Sequence, residues 1–213
     1  MKTRDLVSRL TADLERIEPN ALVRRIGRAL ARGLLASTGL LVVLYGIRGD
    51  MPAMLVIPLF WAKLAFPLAI IVPAVKLTEL LGQPGAPVKL AWLRTVTPII
   101  TLWLVTVLVL LATPRGYRLQ LMLGATWRVS TLNIVLLSLP SLAVVMQAMK
   151  GLAPTNPALA GAGVGLLAGA QGVLVYTLYG VEMSVPFWSV WYVLAITLTT
   201  ALGALIGHRW LQW

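Results

Sequence analysis

The apolar residues of this chain fall into six runs separated by short polar connections, at about residues 29–47, 59–77, 93–112, 131–149, 157–179 and 187–207. Each is close to the ~20 residues that a helix needs to cross a bilayer. The apolar–polar alternation of an outer-membrane barrel strand is missing. The pattern predicts an all-α, polytopic membrane protein with six transmembrane helices over residues 29–213. Ahead of them stands a cytoplasmic N-terminal arm, residues 1–28, whose first part reads as an amphipathic helix over about 3–18. Thr3 is a candidate N-cap, and Asp5 sits in the first turn, where the helix dipole favours negative charge. Leu6, Val7, Leu10, Leu14 and Ile17 make one apolar stripe. Arg4, Arg9, Asp13, Glu15, Arg16 and Glu18 lie opposite, before Pro19-Asn20 breaks the pattern. So short a helix needs a surface to lie on.

The uninterrupted apolar part of the first run starts only after Arg28 and Arg32 and has no small-x-small exit site, so it is expected to stay as an uncleaved anchor. Residues 51–58, broken by Pro52 and Pro58, read as an interfacial segment. Pro67 and Pro73 fall inside the second run, where neighbouring helices must re-satisfy the freed carbonyls. Asn156-Pro157 reads as an N-cap with proline in the first helical position. Gly161, Gly165 and Gly169 share one face of span five, and Gly203 and Gly207 one face of span six. This spacing lets helix backbones approach closely. It serves packing of the two spans on each other or homodimerisation, and the contact is the expected moving interface of a two-state bundle.

Composition agrees with this reading. Of the 213 residues, 59% are hydrophobic and 12% charged, against about a quarter charged in a soluble domain. The net charge of +11 is unevenly spread. Eight basic residues stand before or in the first turn of the first run, the last of them Arg32, and Lys76, Lys89, Arg94, Lys150 and Arg209 fall on the same side of a six-span topology. Arg48, Arg115, Arg118 and Arg128 fall on the other. The positive-inside rule then places both termini in the cytoplasm. Trp61, Trp127, Trp188 and Trp191 form the outer aromatic belt, and Trp92, Trp210 and Trp213 the inner one.

Little chemistry is available. With no cysteine and one histidine, His208, the chain lacks the donors of a typical zinc or haem site. No catalytic residue, metal ligand or cofactor site is assigned, and direct nucleic-acid binding is not expected. The six runs contain no Asp or Glu, which proton- or cation-coupled transporters need at depth. Lys63 reads as an interfacial lysine snorkelling outward from the start of span two, or else as a functional buried one. Glu182, in the turn before Pro186, reads as a loop carboxylate or a signal-input group, with Arg48 or the third-loop arginines in reach. The arm holds four basic and four acidic side chains within residues 1–18. A helix made to lie on anionic lipid is basic, so this balanced one fits docking into a partner's groove better than lying flat on the inner leaflet.

Several stretches carry a resemblance. Met1-Lys2-Thr3-Arg4-Asp5-Leu6, Gly46-Ile47-Arg48-Gly49-Asp50, Phe60-Trp61-Ala62-Lys63-Leu64, Gly124-Ala125-Thr126-Trp127, Leu137-Ser138-Leu139-Pro140, Leu152-Ala153-Pro154-Thr155 and Glu182-Met183-Ser184-Val185-Pro186-Phe187 occur in this order along the chain. The chain resembles the NrsF-type membrane anti-sigma factors over essentially its whole length. The resemblance implies a six-span bacterial inner-membrane protein and regulator of transcription. Its cytoplasmic arm would hold an extracytoplasmic-function sigma factor and free it on an envelope stress signal. The implied sigma-factor contacts are Arg4, Asp5, Leu6, Leu10, Asp13 and Leu14. Similar members carry two sensing cysteines, at positions that are Ser130 and Gly180 here. Neither residue supplies a thiolate, so this homologue answers a different signal or is a cysteine-free variant. The rival readings are a small transporter or channel lined by the proline-broken second span and Lys63, and a structural subunit of another membrane complex.

Overall fold

The computed structural model describes residues 21–46, 49–83, 85–152 and 154–212. In chain order these form α1 (Ala21–Tyr45), α2 (Met51–Met54), α3 (Pro58–Leu81), α4 (Lys89–Ala112), α5 (Arg115–Leu123), α6 (Trp127–Met149) and α7 (Pro157–Thr177). The last helix, α8 (Val185–Trp210), contains one π turn over Trp188–Tyr192. There is no strand among the described residues. Six helical segments are long and apolar enough to cross a membrane: α1, α3, α4, α6 with α5 before it, α7 and α8.

Several elements extend beyond their apolar runs. α1 begins at Ala21, so the basic stretch Arg24, Arg25, Arg28 and Arg32 is helical and exposed, while Ile26, Ala29, Gly33, Ser37 and Leu41 form its buried side. Periodicity continues through the arginines because their stems can lie along apolar surface with the charge outside. α3 runs on to Leu81 and so takes in Glu79, which corrects the expectation that no span carries an acid. Glu79 is buried, and Lys76 donates to its Oε2 at 3.0 Å one turn earlier. Gly82 then stops the helix, its N–H donating to the Thr78 and Glu79 carbonyls. In the third connection, expected as a loop, nine residues form α5.

α7 is the centre. Most of its residues between Ala160 and Thr177 are buried, because glycine and alanine let α3, α6 and α8 close around it. Its start is the Asn156 cap, whose Oδ1 accepts the Leu159 N–H at 3.1 Å. The glycine stripe is used inside the chain: a Cβ on Gly203 would lie 2.7 Å from Gly165 Cα, and one on Gly207 2.6 Å from Gly161 Cα. α1 packs on α6, where a Cβ on Gly33 would lie 2.8 Å from Ser141 Cα. Ser141 Oγ donates to Gln171 Oε1, and Gln171 Nε2 donates to the Leu30 carbonyl at 2.8 Å. One amide side chain of α7 thus ties α1 and α6 together within the apolar bundle. α4 is peripheral, burying only Ala91, Thr95, Leu102 and Thr106.

Candidate functional site

The end of the bundle where α1 stops and α3, α6 and α8 begin gathers four of the chain's five tyrosines: Tyr45, Tyr176, Tyr179 and Tyr192. Ser130 and Gly180 both touch Tyr176. Ser130 Oγ lies 3.0 Å from the Tyr176 hydroxyl and 2.9 Å from the Thr126 carbonyl. Ser130 has one proton, so with it on the Thr126 carbonyl the Tyr176 hydroxyl is the donor to Ser130. Gly180 closes the end of α7, its N–H donating to the Tyr176 carbonyl at 2.8 Å. A Cβ at Gly180 would lie 3.1 Å from Tyr176 Cε1, 3.2 Å from the Tyr192 hydroxyl and 3.3 Å from Lys63 Nζ.

Lys63 is buried, which corrects the snorkelling reading: it is 1% exposed, and its Nζ donates to the Gly180 carbonyl at 2.7 Å. Its ammonium stands 5.9 Å from the centroid of Tyr192. The Tyr192 ring is fully buried and meets Tyr176 and Phe187 edge to face, each at 6.0 Å. The Tyr192 hydroxyl has no hydrogen-bond partner among the described residues. With Lys63 enclosed by protein, the lysine-lined pathway of a transporter or channel has no support from its placement.

Arg48 lies outside the described residues, and among these Glu182 pairs with no third-loop arginine. Its Oε1 accepts the N–H groups of Ala125 and Thr126 at 2.6 and 3.2 Å, so it caps the start of α6 from the α7–α8 turn. A carboxylate is favoured there by the unpaired amides and the helix dipole. Gly124 makes the turn into α6 with φ +59°, and a Cβ on it would meet Phe187 at 2.7 Å and Glu182 Cδ at 2.9 Å. Three further bonds hold the start of α8. Trp188 Nε1 donates to the Glu182 carbonyl, Trp191 Nε1 to the Met122 carbonyl and Trp103 Nε1 to the Ser189 carbonyl, at 2.9 to 3.1 Å. Trp127 packs on Trp191 with centroids 5.5 Å apart and carries the Arg128 guanidinium 5.2 Å from its ring. Trp188, read from the sequence as a belt residue, is buried and structural. Glu182→Ala is expected to lower stability by about 1 kcal/mol, and Glu182→Gln, which keeps an acceptor, by less. An unfolding titration in detergent measures both.

The arrangement thus offers an enclosed hydroxyl pair, a buried ammonium and a helix-capping carboxylate. Among the described residues no three His, Cys, Asp or Glu side chains gather as metal ligands would. Sequence reasoning missed Tyr176 and Tyr192. Tyr176 stands four residues before Gly180, one helical turn away, a spacing that could have brought it in. The arm contacts Arg4, Asp5, Leu6, Leu10, Asp13 and Leu14 lie outside the described residues.

Against known families, the one described as negative regulator of sigma F matches residues 10–213. The chain belongs to this NrsF family. It is a family of regulators, not of enzymes. Among its relatives, a protein of Azospira oryzae named probable anti-sigma-F factor NrsF is 34% identical over 215 residues, with both chains covered completely. The anti-sigma-F factor NrsF of Caulobacter vibrioides is 30% identical over 216 residues, again over the whole of both chains. No solved structure matches. In this NrsF-family chain positions 130 and 180 share one neighbour, Tyr176.

Proposed function

We propose that this chain is a membrane anti-sigma factor that sequesters an extracytoplasmic-function sigma factor through its N-terminal arm and frees it on an envelope stress signal. The observation that carries the reading is full-length kinship with two proteins named as anti-sigma-F factors. Negative regulation of a sigma factor follows from the family; the arm, the class of sigma factor and the release step are the proposal. Binding, with no catalysis, is the mechanism. Leu6, Leu10 and Leu14 would seat in a groove of the partner, with Arg4, Asp5 and Asp13 fixing register.

The site is the bacterial inner membrane, with both termini cytoplasmic. The lysine and arginine bias supports this orientation. So does the placement of Arg25, near the start of α1, against Gly151, and of Lys150 over Trp210, near the end of α8. The tyrosine-lined end would then face the envelope and receive the signal. α6 carries Ser130 at that end and Ser141, packed on Gly33 and joined to Gln171, farther along. A shift of α6 would therefore move α1, whose start leads into the arm. A ligand or modification acting there must favour one of two packings to have any effect.

The test is a pull-down from detergent with the full-length protein and its Leu6→Asp, Leu10→Asp double variant. A sigma factor is expected on the first and at least roughly 100-fold less on the second, as the loss of two buried leucine anchors dictates. If the unaltered protein retains no sigma factor, the reading fails.

A further inference from the structure

An open groove of about 660 Å³ lies between α3, α4 and the start of α8. Ala62, Ala65 and Ala69 of α3 form one wall and Thr97, Pro98 and Thr101 of α4 the other, with Trp188 at one end. The threonines present methyl groups, because Thr97 and Thr101 donate their hydroxyls to the Leu93 and Thr97 carbonyls of their own helix. The single charge in the lining is Arg94. It is exposed and has no ion-pair or hydrogen-bond partner among the described residues. Pro98, lacking an N–H, also withholds the regular helical donor from the Arg94 carbonyl, so the polar end of the groove carries a cation and an under-satisfied acceptor.

Dimensions and charge select the occupant. On α4 the lining runs from Arg94 to Val105, about 16 Å at the helical rise, which is half of a ~30 Å hydrocarbon core. The groove is therefore one leaflet deep, with its cation toward the Lys89 end, where Trp92 also stands in α4. An apolar helix of another protein would fill the wall and leave the guanidinium without an anion. A phosphate bearing an acyl chain satisfies both parts, since a guanidinium binds phosphate by paired, charge-assisted bonds.

We propose that an anionic phospholipid, from the leaflet at the Lys89 end of α4, occupies this groove with its phosphate on Arg94 and one acyl chain along the alanines of α3. The proposal uses no residue of the arm and none of the clustered tyrosines, so it stands or falls independently of the anti-sigma reading.

Native mass spectrometry of the full-length protein, equilibrated in detergent with equal phosphatidylglycerol and phosphatidylcholine of matched chains, tests it. One phosphatidylglycerol per chain is expected on the unaltered protein. Arg94→Gln should cut the preference for that lipid roughly tenfold, the loss of one charged hydrogen-bonding partner. Ala65→Leu with Ala69→Leu should fill the groove and remove retention of both lipids while elution on size exclusion stays the same. The second variant decides the matter if Arg94→Gln does not fold. Equal retention of the two lipids by the unaltered protein, or unchanged preference in Arg94→Gln, overturns the proposal. So does a dimer that the leucine pair converts to monomer, since another copy would then fill the groove.

Discussion

Gly165→Leu is expected to abolish the folded protein, and Gly165→Ala to destabilise it by about 1–3 kcal/mol as over-packing does in tight cores. The reason is what stands opposite. A Cβ at Gly165 would lie 2.9 Å from Thr200 Cα and 3.1 Å from Gly203 Cα, and it would meet the Thr199 carbonyl closer still. These are backbone atoms of α8, which cannot turn aside as a side chain can. α7 touches α8 along this whole stripe, with Gly161 on Gly203 and Gly207 at one end and Gly169 on Ile196 at the other. In lipid no hydrophobic drive holds two helices together, so the close contact itself supplies the attraction. Leucine would separate α7 from α8 and strip the central helix of its nearest neighbour. Gly39→Ala is the control: nothing lies within 4 Å of its Cβ position, so it should be neutral or slightly stabilising. Elution profile and unfolding midpoint in detergent separate the three variants. A bundle that tolerates leucine at 165 would mean that α7 and α8 are not held by this contact.

What the sequence showed, and what it hid, follow from the range of each interaction. The six membrane helices were legible because they rest on composition within single runs. Their ends were less so. α3 outlasts its apolar run because Lys76 and Glu79 pair one turn apart and let a buried carboxylate stay in the helix until Gly82. The site was legible only as residues worth watching. Lys63 was marked by its charge, but its acceptor, the Gly180 carbonyl, lies 117 residues away and belongs to a group that every residue has. Glu182 misled in the same way. A search for opposite charges finds arginines, whereas its donors are the amides of Ala125 and Thr126, which no side-chain pattern announces. Ser130 and Gly180 came from resemblance alone, and their common neighbour Tyr176 came from neither charge nor motif. Backbone partners and shared neighbours are products of the fold.

Lys63→Glu should be nearly as damaging, for an electrostatic reason. The side chain at 63 is enclosed, and the Gly180 carbonyl 2.7 Å from its ammonium is an acceptor. A carboxylate placed there would face that oxygen and the negative face of the Tyr192 ring. Leaving such a charge buried without compensation costs about 3–5 kcal/mol. Lys63→Met asks a finer question, since it keeps an unbranched apolar stem and removes the donor alone. The Gly180 carbonyl then loses its charged partner, at about 1–3 kcal/mol. The α7–α8 turn is held by Lys63 at Gly180 and by Glu182 at the start of α6. With the first hold gone, protease cleavage within residues 178–184 should rise while the unfolding midpoint falls only modestly. Charge reversal, by contrast, should lower the midpoint strongly. If Lys63→Glu and Lys63→Met behave alike, the ammonium contributes packing and not charge. The turn is then positioned by Glu182 and the tryptophan bonds of α8.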